Sequence, residues 1–176
     1  MTITAFRAAA ALTLLMAAVP ALAQSPRATA GRGGAAVRPS EAFPIIEFTV
    51  TTGDDDLRSD SLAYALVDFP DGAHLRCLLS GTPSDGWGNG SSHSVPCHLD
   101  KPRTVRELKT SRITIKLSDG AQVLGSGDNW NIQRVSIVAY APTSPNRTCI
   151  VRVGGSPLAR INSAAGVTVT DFPNGC

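Results

Sequence analysis

Three short blocks hold the residues that could do chemistry: Thr52-Gly53-Asp54-Asp55-Asp56-Leu57-Arg58, Trp87-Gly88-Asn89-Gly90-Ser91 and Gly127-Asp128-Asn129-Trp130-Asn131. Each lies between predicted strands, so each is expected in a loop. Adjacent carboxylates repel one another unless water or a cation screens them. Calcium takes six to eight oxygens at about 2.3–2.6 Å, often from carboxylates and amide carbonyls on loops. Asp54, Asp56, Asp128 and Asn129 supply such a metal set if their two blocks meet at one end of the fold. The alternative is a solvated turn, in which Arg58 pairs with one carboxylate and the Asp side chains bond their own backbone. Trp87 sits among small residues, where an exposed indole stacks on a sugar or enters a lipid interface. Trp87 and its neighbour Asn89 are therefore the ligand-contact candidates, against the alternative of a Trp folded over the end of the core. Trp130 precedes the apolar positions Ile132, Val135 and Ile137, which suits a core plug whose indole N–H finds an oxygen.

Catalytic constellations are weak. There is no G-x-S-x-G elbow, and in Gly154-Gly155-Ser156-Pro157 the proline suits a turn. His74, His93 and His98 have no recognisable neighbour motif. The sequence reads as a non-enzyme.

Cys77, Cys97, Cys149 and Cys176 make an even set, which in an exported chain reads as two disulfides. Four cysteines allow three pairings; Cys77–Cys97 and Cys149–Cys176 are favoured as the nearest in sequence. A zinc site using His93 and His98 beside Cys97 is the rival, but the C-x₂₋₄-C spacing of structural zinc is missing.

The elements that must position these residues have period two. Ile46, Phe48 and Val50 share one face, as a half-buried strand requires. Leu62–Val67 and Ala73–Leu79 form a hairpin around Pro70-Asp71-Gly72. Further strands are expected at Val95–Leu99, Arg112–Leu117, Val135–Ala139, Ile150–Val153 and Val167–Val169, with a helical turn within Pro102–Thr110. About eight short strands divided by turn signals describe an all-β antiparallel sandwich. Alternating βα units are missing, which excludes a doubly wound nucleotide-binding fold.

The first 23 residues carry Arg7 as their single charge, an apolar run Ala8–Val19 and the cleavable Ala21-Leu22-Ala23, so they read as a signal peptide. No segment approaches the ~20 apolar residues of a spanning helix. The protein is thus expected to be periplasmic or secreted and not integral to a membrane. Residues 24–40 are rich in Ala, Gly, Arg, Pro and Ser and read as a flexible leader, leaving 41–176 as one domain. From Glu41 onward there are 12 basic and 14 acidic residues, which lacks the basic footprint of nucleic-acid binding.

Thr52-Gly53-Asp54-Asp55-Asp56, followed by a strand and Asp71-Gly72, resembles the opening of PLAT/LH2 domains. Asp128-Asn129-Trp130-Asn131-Ile132-Gln133-Arg134-Val135 is similar to their tryptophan-led strand entry. Those domains are eight-stranded β-sandwiches found in lipoxygenases, lipases and clostridial alpha-toxin. The resemblance covers roughly Ile45–Tyr140. It implies a non-catalytic module for lipid surfaces or protein partners, with calcium in some members. The calcium-loop role would then fall on Asp54, Asp56 and Asp128, and the packing aromatic on Trp130. The four cysteines depart from the family's pattern.

The expectation is therefore an exported binding module, calcium-assisted, whose partner is a lipid surface, a glycan or a protein. The alternatives are a ligand-free structural or interaction protein of the cell envelope and, third, a small secreted hydrolase.

Overall fold

The computed structural model describes residues 40–59, 61–80, 86–119, 129–162 and 164–176. The predicted signal peptide, the leader up to residue 39 and Asp128 lie outside the described residues. Eight strands follow in order: β1 (Ala42–Thr52), β2 (Ser61–Asp68), β3 (His74–Ser80), β4 (Ser92–Thr104), β5 (Arg112–Asp119), β6 (Asn129–Tyr140), β7 (Arg147–Asn162) and β8 (Val167–Thr168). One short helix, α1 (Val105–Thr110), joins β4 to β5.

The strands form two four-stranded antiparallel sheets, ordered β4-β1-β6-β7 and β3-β2-β5-β8. The expected all-β sandwich is the architecture found. Alternation builds its core: Ile46, Phe48 and Val50 of β1, Val135 and Ile137 of β6, and Ile113, Ile115 and Leu117 of β5 are all buried. β2 is apolar on both faces. Its small residues Ala63 and Ala65 point inward, and Leu62, Tyr64 and Leu66 occupy the outer face, each half-buried.

Three expectations need correction. Asn129–Asn131 is not a loop but the first turn of pleat in β6, paired with β7 from Asn129↔Asn162 onward. Gly154–Pro157 is not a terminating turn. It lies inside β7, where residues 155–158 bulge out opposite the single residue Gln133. β4 is also longer than Val95–Leu99, because pairing with β1 extends from Thr51↔Ser92 to Ala42↔Thr104.

The disulfides pair Cys77 with Cys97 and Cys149 with Cys176, each with Cα atoms 5.9 Å apart. Cys77 is on β3 and Cys97 on β4, the edge strands of different sheets, so this bridge staples the two layers together on one side. The second bridge lays the C-terminal residues along the free edge of β7. There Gly175 N–H donates to the Arg152 carbonyl at 2.8 Å, and Asn174 Oδ1 accepts from Arg152 N–H at 3.0 Å. Those bonds occupy backbone groups that an open edge would offer to another chain.

Beneath β4 and α1 lies a fully buried arginine. Arg103 Nη1 donates to Asp71 Oδ2 at 2.6 Å, and its guanidinium covers the Phe69 ring at 4.0 Å. Asp71 also accepts from Lys101 Nζ at 3.0 Å. These bonds, with one from Ala73 N–H, hold the Asp71 carboxyl well below the usual range, Lys101 contributing most. The adjacent α1 starts on a capping box, in which Thr104 Oγ1 accepts from Glu107 N–H and the Glu107 carboxylate accepts from Thr104 N–H.

Candidate functional site

The Asp triplet and the Trp87 block meet at one rim of the sandwich, together with the start of β6. β1 ends at Thr52, and the chain then crosses to β6, where Gly53 N–H donates to the Asn131 carbonyl at 2.7 Å. A side chain at residue 53 would place its Cβ 3.2 Å from Asn131 Cβ, so glycine permits this approach. From the other side, Gly90 N–H donates to the Gly53 carbonyl at 3.0 Å, with Gly90 at a left-handed φ of 71°. Leu57 and Trp87 exchange two backbone hydrogen bonds of 2.8 and 3.0 Å, locking the two loops to each other.

Both tryptophans lie under this rim. Trp130 is fully buried, as expected of a plug, and its Nε1–H donates to Thr52 Oγ1 at 3.2 Å. Trp87 is 3% exposed, so of the two readings it takes the one in which it folds over the end of the core, and it is not an exposed ligand contact. Its ring packs edge-on against Trp130 at 5.5 Å and stacks on His93 at 4.3 Å. The loop closes over the core because the backbone pairing with Leu57 turns the indole inward.

The acidic residues have separate fates. Asp54 Oδ1 accepts from Asn131 Nδ2 at 2.6 Å, and this bond is the main cause of a carboxyl pKa below the ordinary value. Asp55 pairs with Arg160 at 3.1 Å, and its carbonyl accepts from Asn131 N–H. Asp56 is exposed, and Asn129 stands half-buried across from Asn162. Among the described residues no three His, Cys, Asp or Glu side chains converge as metal ligands would. Asn131, which the sequence reading did not select, is the residue that binds the acidic loop to the sheet. Its Oδ1 is buried without a hydrogen-bond partner.

A cleft of about 450 Å³ opens beside these loops, lined by Gly53, Asp54, Asn89, Gly90, Gln133, Ser156 and Pro157. Asp54 and Asn89 were both candidates from the sequence. Ser156 and Pro157 were missed because the β7 bulge that carries them read as a turn, and Gln133 of β6 because only that bulge, across from it, makes it a cleft residue.

A second surface lies away from the rim, on the outer face of β3-β2-β5. Leu62, Tyr64 and Leu66 run along β2, and Tyr64 sits directly between Leu78 of β3 and Lys116 of β5. Leu78 is 51% exposed. Arg76 lies over the Tyr64 ring at 4.2 Å, and Arg76 and Lys116 are both exposed. Asp68, at the far end of β2, is bound by His74 at 2.8 Å. The signal for this face was present in the double apolar pattern of Leu62–Val67, whose two faces differ in residue size.

No protein-family model matches the sequence, and no curated protein matches it. Solved structures do. The alpha-toxin of Clostridium absonum superposes with a TM-score of 0.59 at 14% identity, covering 78% of this chain and 34% of the toxin. The alpha-toxin of an avian Clostridium perfringens strain gives 0.57 at 13% identity, covering 79% and 34%. The likeness is one of fold. It agrees with the PLAT-like sandwich implied by the acidic and tryptophan motifs, and the chain spans about a third of each toxin's length.

Proposed function

We propose that the chain is an exported, non-catalytic binding module that docks on an anionic lipid surface through the outer face of β3-β2-β5. The observation that carries this reading is the combination on that face of Leu62, Tyr64, Leu66 and the exposed Leu78 with the cations Arg76 and Lys116. Exposed apolar patches rimmed by polar groups mark interaction surfaces. Tyrosine suits the headgroup level of a bilayer, and each cation near an anionic membrane adds about 1 kcal/mol. The fold shared with the clostridial toxins and the two disulfides support export and surface contact.

Calcium has a restricted place in the proposal. Asp54 and the orphaned Asn131 Oδ1 offer two oxygens at one rim, whereas a calcium site needs six to eight and Asp55 is engaged by Arg160. The described residues therefore do not assemble a calcium site by themselves, and lipid docking by the sheet face does not require the ion. A melting curve with and without millimolar calcium measures this part, since a bound ion raises the melting point by mass action.

Sedimentation with phosphatidylglycerol-containing vesicles tests the main reading. Leu78→Asp and the double change Arg76→Gln/Lys116→Gln should each abolish co-sedimentation while leaving the melting point near that of the parent. Undiminished sedimentation of both variants overturns the face assignment. If the parent chain ignores the vesicles, the interaction protein of the envelope replaces the lipid reading.

A further inference from the structure

We infer that the rim cleft is a binding site for a neutral saccharide. This is independent of the lipid-docking face, from which the cleft is separate in residues and in chemistry. Its four functional side chains are one carboxylate (Asp54), two primary amides (Asn89 and Gln133) and one hydroxyl (Ser156), set around the backbone of Gly53 and Gly90. Amides and hydroxyls both donate and accept, and a carboxylate accepts. Such a set matches vicinal hydroxyl groups, which do both.

Among the described residues that line it there is no Lys, Arg or His, and Asp54 repels an anionic ligand, while the neighbouring Arg160 is already paired with Asp55. The Asp54 carboxylate is oriented by Asn131 Nδ2 at 2.6 Å. Pro157 supplies a C–H wall against which an apolar sugar face can lie. The volume of about 450 Å³ falls within the size range of small-molecule sites.

The surface next to the cleft continues in the same chemistry. Directly below Gly53 and Ser91, on the outer face of β1 and β4, Thr51 and Ser92 hydroxyls meet at 2.7 Å, and Thr49 and Ser94 repeat the pair at 2.7 Å. A second sugar leaving the cleft along this face would meet two rungs of hydroxyls, with Arg134 across from Thr51 on β6, before reaching Glu47, which is paired with Arg147. The cleft therefore anchors one ring, and the ladder receives the next.

Heteronuclear NMR titration of the full exported domain tests this directly. The probes are glucose, galactose, mannose, N-acetylglucosamine and their common disaccharides, each with EDTA present, and inorganic phosphate as the anionic control. The expected result is saturable movement of the Asn89 and Gln133 side-chain amide signals with at least one sugar and none with phosphate. Asn89→Ala and Gln133→Ala should weaken that sugar at least tenfold without moving the melting point, and Thr49→Val should weaken the disaccharide more than the monosaccharide. The inference is overturned if no sugar moves these amides, if phosphate alone does, or if both alanine variants retain parental affinity. Vesicle binding through the Leu78 face can succeed or fail without changing any of these outcomes.

Discussion

Asn131 Nδ2 donates to Asp54 Oδ1 at 2.6 Å, joining the first strand's exit loop to the entry of β6 across 77 residues of sequence. The same asparagine fixes that loop twice more through its backbone, to Gly53 and Asp55. Asn131→Ala should therefore loosen the rim and lower the melting point by several degrees while leaving the sheets intact. Asn131→Asp should be worse, because it sets a second carboxylate against Asp54. Its deficit should grow as pH rises from 4 to 7 and shrink when calcium is added. Thermal melts of the two variants across that range check the order; equal melting points at pH 7 would contradict it.

Gly53 is where the backbone passes Asn131 most closely. In Gly53→Ala the new methyl would sit 3.2 Å from Asn131 Cβ and 3.3 Å from its carbonyl oxygen. One of the two chains must give way, so the Gly53–Asn131 and Gly90–Gly53 bonds should open together. Faster amide exchange at Gly53 and Gly90, with unchanged exchange in β2 and β5, is the expected signature.

Acid should weaken the fold from the Arg103 side. The carboxyls of Asp71 and Glu107 titrate below their ordinary values, Asp71 chiefly through Lys101 and Arg103 and Glu107 through the Thr104 N–H and hydroxyl. A carboxyl depressed in the folded chain gains its proton first in the unfolded chain. Its contribution is complete above about pH 4 to 5, the ordinary carboxylate range, and is lost as pH falls through the folded value. Urea midpoints should be flat above pH 5 and fall below it. Asp71→Asn should lower the midpoint at pH 7 and flatten the acid limb; a variant with the parental acid slope would refute the assignment.

The two disulfides should fail differently. Replacing Cys77 and Cys97 removes the staple between edge strands of opposite sheets and should cost about 2–4 kcal/mol, read by denaturant titration. Replacing Cys149 and Cys176 frees the segment that covers β7. The expected readout there is rapid carboxypeptidase trimming back from residue 176 and concentration-dependent association through the bared strand edge.

Much of this architecture was legible because burial imposes a period of two. Ile113-Thr114-Ile115-Lys116-Leu117 and Ile46-Glu47-Phe48-Thr49-Val50 read as strands and are strands, and the nearest-neighbour cysteine pairing is the one found. The rim was partly legible, since the Asp triplet and the Trp87 block both belong to it. What failed to show were features set by contacts distant in sequence. Asn129–Asn131 looks like a loop because its polar residues obey local turn preference, yet pairing with β7 makes it strand. Likewise, local residue types cannot tell Gly155–Leu158 as a bulge from a turn; only the position of Gln133 across the sheet distinguishes them. Arg103 gave no sign of burial, because its compensating partner Asp71 lies 32 residues earlier.

The two tryptophans of this chain are also a single optical unit. Trp87 and Trp130 meet edge to face at 5.5 Å, both shielded from water, with His93 stacked on the first. Every tryptophan photon the protein emits thus originates directly beneath the rim, with none arising elsewhere in the sandwich. Tryptophan fluorescence, excited selectively beyond the tyrosine band, is therefore a label-free reporter of events at that one end.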